Sequence, residues 1–412
     1  MKYGCIGEHL GHSFSREIHA RLSDYEYELC EVAKDKLSDF ATRRDFIAIN
    51  VTIPYKEMIL PHIYELDEGA RLIGAVNTVV NRDGRLYGYN TDFYGMTELI
   101  KHAKVDIKGK KVAILGTGGT AKTAFAVVTS LGAGEIVRVS RTARDGICDY
   151  ESLYTEHTDV EVIINTTPVG MYRDFDGVPV DISKFPALSG VIDAVYNPLR
   201  TKLVSDAQAK GIKAEGGLYM LVAQAVRASE IFLNKEYPSG TTERVFREMM
   251  EDKENIVLIG MPSSGKTTVA RLLAKDTWRE VIDTDERIVA EVGCPITEIF
   301  ANEGEAKFRE YEAQIIRGVA QDTGKIISTG GGAIVNPVNV ERLKRNGKLY
   351  FIDRPLSELL PTADRPLSST REAIEKRYHE RYDLYLGYAD VRIDATSDAQ
   401  QVADSITEDF FE

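Results

Sequence analysis

The stretch Gly260-Met261-Pro262-Ser263-Ser264-Gly265-Lys266-Thr267 constrains this chain more than any other. It follows an apolar run, Ile256 to Ile259, with the length and composition of a buried parallel strand, and it leads into a helical pattern from Val269 to Ala274. Strand, glycine-bounded loop and helix are the context that G-x-x-x-x-G-K-S/T requires. The loop from Gly260 through Pro262, Ser263 and Ser264 to Gly265 can curl around a phosphate. The helix start at Lys266, Thr267 and Thr268 adds positive potential, Lys266 can reach the outer phosphates, and Thr267 can ligate Mg2+. The motif lies well past the middle of the 412 residues, so a unit of substantial size precedes it.

A length of 412 residues with 43% hydrophobic content predicts two or three fully packed domains. A net charge of −13 argues against nucleic acid or an anionic membrane as partner, because both demand a basic surface. It likewise disfavours a nucleic-acid-directed ATPase. The four cysteines, Cys5, Cys30, Cys148 and Cys294, form no C-x-x-C pair, which fits reduced structural thiols. The N-terminus meets glycine and charge too early for a signal peptide, and no apolar run reaches bilayer length, so the expected location is cytoplasmic. The charged segment Glu243 to Glu254 is the best linker candidate.

In the first hundred residues, Tyr3 to Ile6 reads as a strand, and Ser13 and Ser15 precede a helix starting near Arg16. Two hydroxyls so spaced can grip one carboxylate, although serines before a helix are more often N-caps. Asp45 to Lys56 reads as a strand stopped at Pro54, with Lys56 delivered just beyond it, solvated or functional. Gly74 to Thr78 reads as another strand, and a hairpin turn at Asp83-Gly84 leads to Gly88-Tyr89-Asn90-Thr91-Asp92.

The set S-F-S, N-V-T-I-P-Y-K-E, G-A-V-N-T and G-Y-N-T-D, in this order, resembles the substrate domain of shikimate dehydrogenases, and the resemblance runs to about Gln224. It implies that Ser13, Ser15, Thr52, Asn77 and Asp92 line the substrate site and that Lys56 and Asp92 form the catalytic pair. The chemistry agrees: hydride reduction of a ketone leaves an alkoxide, and an ammonium held beside a carboxylate can protonate it. This chain has Arg16 where the family often has proline.

Lys110 to Leu115 is a strongly apolar strand, followed by Gly116-Thr117-Gly118-Gly119-Thr120-Ala121 and a helix from Lys122 to Leu131. That turn serves the ends of a dinucleotide fingerprint: a tight bend, close backbone approach to pyrophosphate and close helix packing. The next strand, Glu135 to Val139, ends in Ser140-Arg141-Thr142, where an NAD-binding fold usually carries an acid. Arg141 suits a 2′-phosphate instead, which predicts NADPH over NADH; the alternative is a solvated surface arginine. Strands at Val160 to Ile164 and Gly190 to Ala194 end in Asn165-Thr166-Thr167-Pro168 and Tyr196-Asn197-Pro198. Both segments resemble family motifs, which implies Asn165 and Thr166 near cofactor and Tyr196 near substrate. Gly216-Gly217 opens an apolar-periodic helix; the resemblance places Gly217 at the cofactor and Gln224 on the substrate, against a Gln satisfied by backbone.

Beyond the phosphate loop, Glu280 to Asp285 reads as a strand with Asp283 and Asp285 on one side, one to hold a magnesium shell and one to take a proton. Glu312 follows Arg309 by three residues on a helix, close enough to orient its guanidinium. Ile326 to Thr329 leads into Gly330-Gly331-Gly332, which leaves room for a ligand. Together with the phosphate loop these motifs resemble shikimate kinase. The resemblance implies ATP as phosphoryl donor, Mg2+ held by Thr267 and Asp283, and Asp285 facing the attacking hydroxyl. It further implies that Arg309, Gly331, Gly332 and Arg381 hold shikimate and that Arg365 in Asp364-Arg365-Pro366-Leu367 is the lid arginine. The lid around Leu359 to Asp364 is abbreviated relative to the family.

The expected class is α/β throughout. A shikimate-dehydrogenase-like substrate domain spans residues 1–104, completed by helices at about 217–248. A Rossmann NADP-binding domain spans 105–216, and a P-loop, nucleoside-monophosphate-kinase-like domain spans 254–412. The expected activities are successive: NADPH-dependent reduction of 3-dehydroshikimate, then ATP-dependent phosphorylation of shikimate. The alternative is that one half only binds nucleotide or substrate.

Overall fold

The computed structural model describes residues 1–10, 13–172, 174–361 and 369–411. They form two compact units, Met1–Met249 and Met250–Glu412.

The first unit contains two sheets. Strands β1 (Tyr3–Gly7), β2 (Tyr27–Glu31), β3 (Ala48–Val51), β4 (Glu65–Leu66), β5 (Thr78–Arg82) and β6 (Arg85–Tyr89) assemble in the order β2-β1-β3-β5-β6-β4. β5 runs antiparallel to both its neighbours, and the other pairs are parallel. The β5–β6 hairpin closes through Asp83 and Gly84, both at positive φ (51° and 79°), as a two-residue turn matched to strand twist requires. The second sheet is wholly parallel. Its strands β7 (Lys111–Leu115), β8 (Glu135–Val139), β9 (Val162–Asn165), β10 (Gly190–Asp193) and β11 (Lys213–Glu215) lie in the order β11-β10-β9-β7-β8. Helices on both faces explain why β9 and β10 are buried at every position. Between the sheets, helices Thr91–His102 and Leu218–Leu233 pack along one another, joining Met96, Leu99, Val112, Ile164 and Tyr219 in one core.

Two strand expectations shorten. The run Asp45 to Lys56 is strand only over Ala48–Val51, and Lys56 sits on the single helical turn Tyr55–Met58. The segment from Gly74 becomes strand only at Thr78, because Gly74 takes φ 71° as the left-handed cap of helix Glu68–Ile73.

The expected linker is a helix, Thr241–Lys253. Charge dominates its composition, but Val245 and Met249, one turn apart, are fully buried, and the Phe246 ring packs edge-on to Tyr219 at 5.1 Å. The Tyr219 hydroxyl donates to Glu243 Oε1 at 2.6 Å. An apolar stripe of three residues outweighs the charges around it.

In the second unit, β12 (Asn255–Ile259), β13 (Val281–Asp283), β14 (Ile326–Ser328), β15 (Gly347–Asp353) and β16 (Val391–Asp394) form a parallel sheet in the order β13-β14-β12-β15-β16. β12 is central and buried along its whole length. Its C-terminal end therefore delivers the phosphate loop to the middle of the sheet edge where ligands bind in such folds. No described helix is long and apolar enough to cross a membrane.

Candidate functional site

The first unit has a cavity of about 160 Å³ at the junction of its two sheets. Ser15, Thr52, Lys56, Asn77, Asp92, Tyr196, Gly217 and Gln224 all line it, with Thr120 of the dinucleotide turn on the opposite wall. Local structure explains the convergence. Lys56 comes from the turn after β3, Asp92 from the first turn of helix Thr91–His102, and Gln224 from the helix packed against it.

Lys56 Nζ lies 2.6 Å from Asp92 Oδ2, and the other carboxylate oxygen accepts from Asn77 Nδ2 at 2.9 Å. Asp92 also sits where a helix N-terminus stabilises negative charge. The pair is only partly shielded, with side-chain exposures of 20% for Lys56 and 12% for Asp92, so the ammonium can meet a ligand. Gln224 donates to the Leu221 carbonyl at 3.0 Å and accepts from Thr91 Oγ1 at 3.3 Å, so it faces the cavity already oriented. Neither N-terminal serine caps its helix. Ser13 Oγ instead accepts the Ser15 N–H and lies 3.0 Å from Ser15 Oγ, which brings both hydroxyls to one place. Burial raises the Tyr196 hydroxyl above its ordinary range and keeps it protonated as a donor.

Asn50 and Cys5 line the same cavity, although the sequence marks neither as a site residue. Asn50 accepts from Tyr27 at 2.7 Å and donates to Thr78 Oγ1 at 3.1 Å; its only sequence signal was its place at the head of the V-T-I-P-Y-K run. Burial pushes the Cys5 thiol up to about 12, so it is an inert wall.

The dinucleotide turn is built for close backbone approach. Gly116 takes φ 109°, and a Cβ there would stand 2.7 Å from Thr166 Oγ1, whereas Gly118 and Gly119 face open space. Thr166 donates to the Leu115 carbonyl. Asn165 is fully buried, donating to Asp193 at 2.9 Å and accepting from Thr167, so it shapes the loop from beneath. A groove of about 630 Å³ runs along helix Gly119–Ser130 from Gly116 and Thr117, with Arg138 and Arg144 in its wall. Arg141 is exposed and is not among its lining residues, while Ser140 Oγ holds the backbone of Thr142. Arg144, three residues further on, is in the groove wall and so lies closer to the dinucleotide turn than Arg141 does. Thr120 and Ala121 begin the helix beside these glycines.

In the second unit the phosphate loop bends through positive φ at Gly260 (152°), Ser263 (64°) and Gly265 (95°). Lys266 is nearly buried, its Nζ donating to the carbonyls of Gly260 at 2.9 Å and Met261 at 2.8 Å. Ser264 is buried beside it, Pro262 packs on Gly331, and Ser263 Oγ donates to the Leu360 carbonyl. Thr268 follows Thr267 in the first turn of helix Lys266–Thr277. Thr267 Oγ1 stands 3.0 Å from Asp283 Oδ2, a hydroxyl–carboxylate pair with oxygen chemistry suited to Mg2+.

The two aspartates are not on one strand. β13 ends at Asp283, which caps helix Thr284–Val292 by accepting from the N–H groups of Asp285 and Glu286, so Asp285 lies in the first helical turn. A Cβ on Gly330 would meet Asp285 Oδ1 at 2.5 Å, which puts this carboxylate beside the glycine loop. Arg309 pairs with Glu312 at 2.8 Å, and its guanidinium lies where a Cβ on Gly332 would stand, so a side chain there would displace it. Glu312 is 1% exposed; burial raises its carboxyl, opposed by Arg309. Arg381 Nη1 donates to the Gly331 carbonyl at 3.0 Å. Asp285, Arg309, Gly331, Gly332 and Arg381 thus converge on one loop. Arg365 lies outside the described residues.

Comparison with known proteins agrees with both halves. Residues 5–79 match the family model of the shikimate dehydrogenase substrate binding domain, and residues 262–410 match that of shikimate kinase. The chain is 36% identical over 264 residues to a shikimate dehydrogenase (NADP(+)) of Clostridium perfringens, covering 60% of this chain and 97% of that protein. Among solved structures it resembles shikimate dehydrogenase 1 of Peptoclostridium difficile (TM-score 0.56, 34% identity, 60% and 98% of the two chains). It also resembles a chorismate mutase/shikimate 5-dehydrogenase fusion protein of Clostridium acetobutylicum (TM-score 0.57, 35% identity, 60% and 96%). A third, the Thermus thermophilus shikimate 5-dehydrogenase in complex with NADP(H) and shikimate, matches with TM-score 0.54 and 28% identity over 60% and 99% of the two chains.

Proposed function

We propose residue roles for a chain that belongs to the shikimate dehydrogenase family through its N-terminal 60% and carries a shikimate kinase domain after it. It is a bifunctional shikimate-pathway enzyme that uses NADP(H) in one half and ATP in the other. In the first reaction it reduces 3-dehydroshikimate. Ser13 and Ser15 take the substrate carboxylate, and Thr52, Asn77, Tyr196 and Gln224 orient the ring. NADPH supplies the hydride. Lys56 donates a proton to the oxygen that becomes the alkoxide, and Asp92 holds the ammonium in place and keeps it charged. Gly116, Gly118, Gly119, Thr120 and Ala121 admit the pyrophosphate to the helix start, and Gly217 lets the nicotinamide end approach. Ser140, Arg141, Thr142 and Arg144 receive the 2′-phosphate.

In the second reaction ATP supplies the phosphoryl group; Thr267 and Asp283 would hold Mg2+, which would neutralise phosphate charge. Lys266 leaves its carbonyl partners for the outer phosphates. Arg309 and Arg381 take the shikimate carboxylate, while Asp285 accepts the proton of the attacking hydroxyl. Domain limits at about 104, 216 and 254, small-molecule substrates only, and a cytoplasmic location complete the reading. Four free cysteines support the last.

The observation that carries the dehydrogenase assignment is the Lys56–Asp92 pair, 2.6 Å apart in a cavity walled by the dinucleotide turn. The test is one incubation with 3-dehydroshikimate, NADPH and Mg-ATP. The expected product is heavier than the substrate by two hydrogens and one phosphoryl group. A product that stops at shikimate refutes the kinase roles, and unchanged NADPH refutes those of Lys56 and Asp92.

A further inference from the structure

In the kinase unit one buried hydroxyl stands between the loop assigned to nucleotide and the loop assigned to shikimate. Tyr385, on helix Arg371–Tyr388, is 1% exposed, and its ring stacks on Phe351 at 5.0 Å, which fixes where its oxygen lies. That oxygen is 2.9 Å from the carbonyl of Gly260, the first glycine of the phosphate loop, and 2.5 Å from the carbonyl of Gly331. A phenol has one hydrogen to donate, so it can serve only one of them at a time. Each carbonyl has a second donor that is itself a ligand-binding cation. Lys266 Nζ stands 2.9 Å from the Gly260 oxygen, and Arg381 Nη1 stands 3.0 Å from the Gly331 oxygen. The loops also touch directly, since a Cβ on Gly331 would meet Pro262 Cδ at 2.6 Å.

We infer that Tyr385 is a positioning residue that couples the nucleotide and shikimate subsites by passing its single hydrogen between Gly260 and Gly331. The inference rests on the kinase reading above. When a phosphate draws the Lys266 ammonium away, the buried Gly260 carbonyl loses a donor, and an unpaired buried acceptor is costly. The Tyr385 hydrogen turns to it. The Gly331 carbonyl then depends on Arg381 Nη1, which fixes the guanidinium plane and leaves its other amino group to the incoming carboxylate. A ligand that meets a partner already fixed loses less freedom on binding, and linkage makes the effect reciprocal.

The test uses initial rates of shikimate phosphorylation by the full chain, without NADP(H), varying shikimate and Mg-ATP together. The ratio read out is the shikimate dissociation constant of free enzyme over that of nucleotide-loaded enzyme. The unchanged chain is expected to show a ratio of about two to ten, the range one neutral hydrogen bond spans. In Tyr385→Phe, which removes only the hydroxyl, the ratio falls to about one while NADPH oxidation stays unchanged. A purely structural role would lower kcat or stability and leave the ratio as it was. Equal ratios in the two proteins overturn the inference, as does a ratio of one or less in the unchanged chain, an arm that stands even if the variant fails to fold. An unchanged chain that phosphorylates shikimate without coupling refutes this inference alone. One that phosphorylates none refutes the kinase roles, and the inference with them.

Discussion

Replacing Lys56 by methionine removes the ammonium and keeps most of its stem, and the structure separates what this does to folding from what it does to chemistry. Asp92 is not orphaned by the change: its Oδ1 still accepts from Asn77 at 2.9 Å, and the first turn of its helix still favours a negative charge. The pair is 20% and 12% exposed, between the surface case of about 0–1 kcal/mol and the buried case of about 3–5 kcal/mol, so the expected loss of stability is about 1–2 kcal/mol. The chemical loss is larger. Without Lys56 the developing alkoxide must take its proton from water, and a positioned acid typically contributes about 10²–10⁴ in rate. At 1.36 kcal/mol per tenfold that is roughly 3–5 kcal/mol of barrier. The assay follows NADPH oxidation at saturating 3-dehydroshikimate, with shikimate phosphorylation by the same preparation as an internal control. The expected result is a collapse in dehydrogenase kcat, a KM within a few-fold and an unchanged kinase rate. A variant that keeps more than a tenth of its kcat, or loses both activities in parallel, refutes the role given to Lys56.

The elements around both sites were legible because glycine and apolar runs carry strong local signals. β12, the phosphate loop and the helix after it lie where the motif put them. So does β8, with the Ser140 segment at its end. The misreadings share a different cause, in that tertiary contacts decided what local pattern left degenerate. Asp283 and Asp285 fit a strand by alternation, but Asp283 caps the next helix and ends the strand two residues earlier, and alternation cannot weigh that competition. The segment at Glu243 reads as linker by charge, because burial of Val245 and Met249 and the contact of Phe246 with Tyr219 are tertiary facts that composition does not carry. Asn50 was missed for a related reason. It is a polar residue in an apolar strand, and its partners Tyr27 and Thr78 are distant in sequence. The substrate-site motifs, though individually weak, marked residues that the fold does bring to one cavity.

Three further outcomes are expected. Lys266→Ala abolishes phosphorylation and leaves hydride transfer intact, measured on one preparation with the two assays; any fall in NADPH oxidation would contradict independent chemistry. Arg141→Asp and Arg144→Asp lower the preference for NADPH over NADH, by about ten- to a hundredfold for whichever guanidinium meets the 2′-phosphate. The ratio of kcat/KM for the two cofactors checks this, and an unchanged ratio in both variants would overturn the assignment. The third concerns pH and Asp193. This fully buried carboxylate accepts from Asn165, Val195 and Thr201, yet burial outweighs those bonds and raises its pKa from 3.8 to about 6. Between those values the folded chain binds a proton that the unfolded chain has released, so stability falls as pH rises from about 4 to about 6. About two pKa units at 1.36 kcal/mol each makes the change roughly 3 kcal/mol. Asp193→Asn keeps an acceptor for Asn165 and removes the charge, so it should lack this decline. Urea unfolding of both proteins across that range isolates the group from every other titration. Parallel stability profiles would mean that the three hydrogen bonds hold Asp193 ionised in the fold and that burial does not dominate.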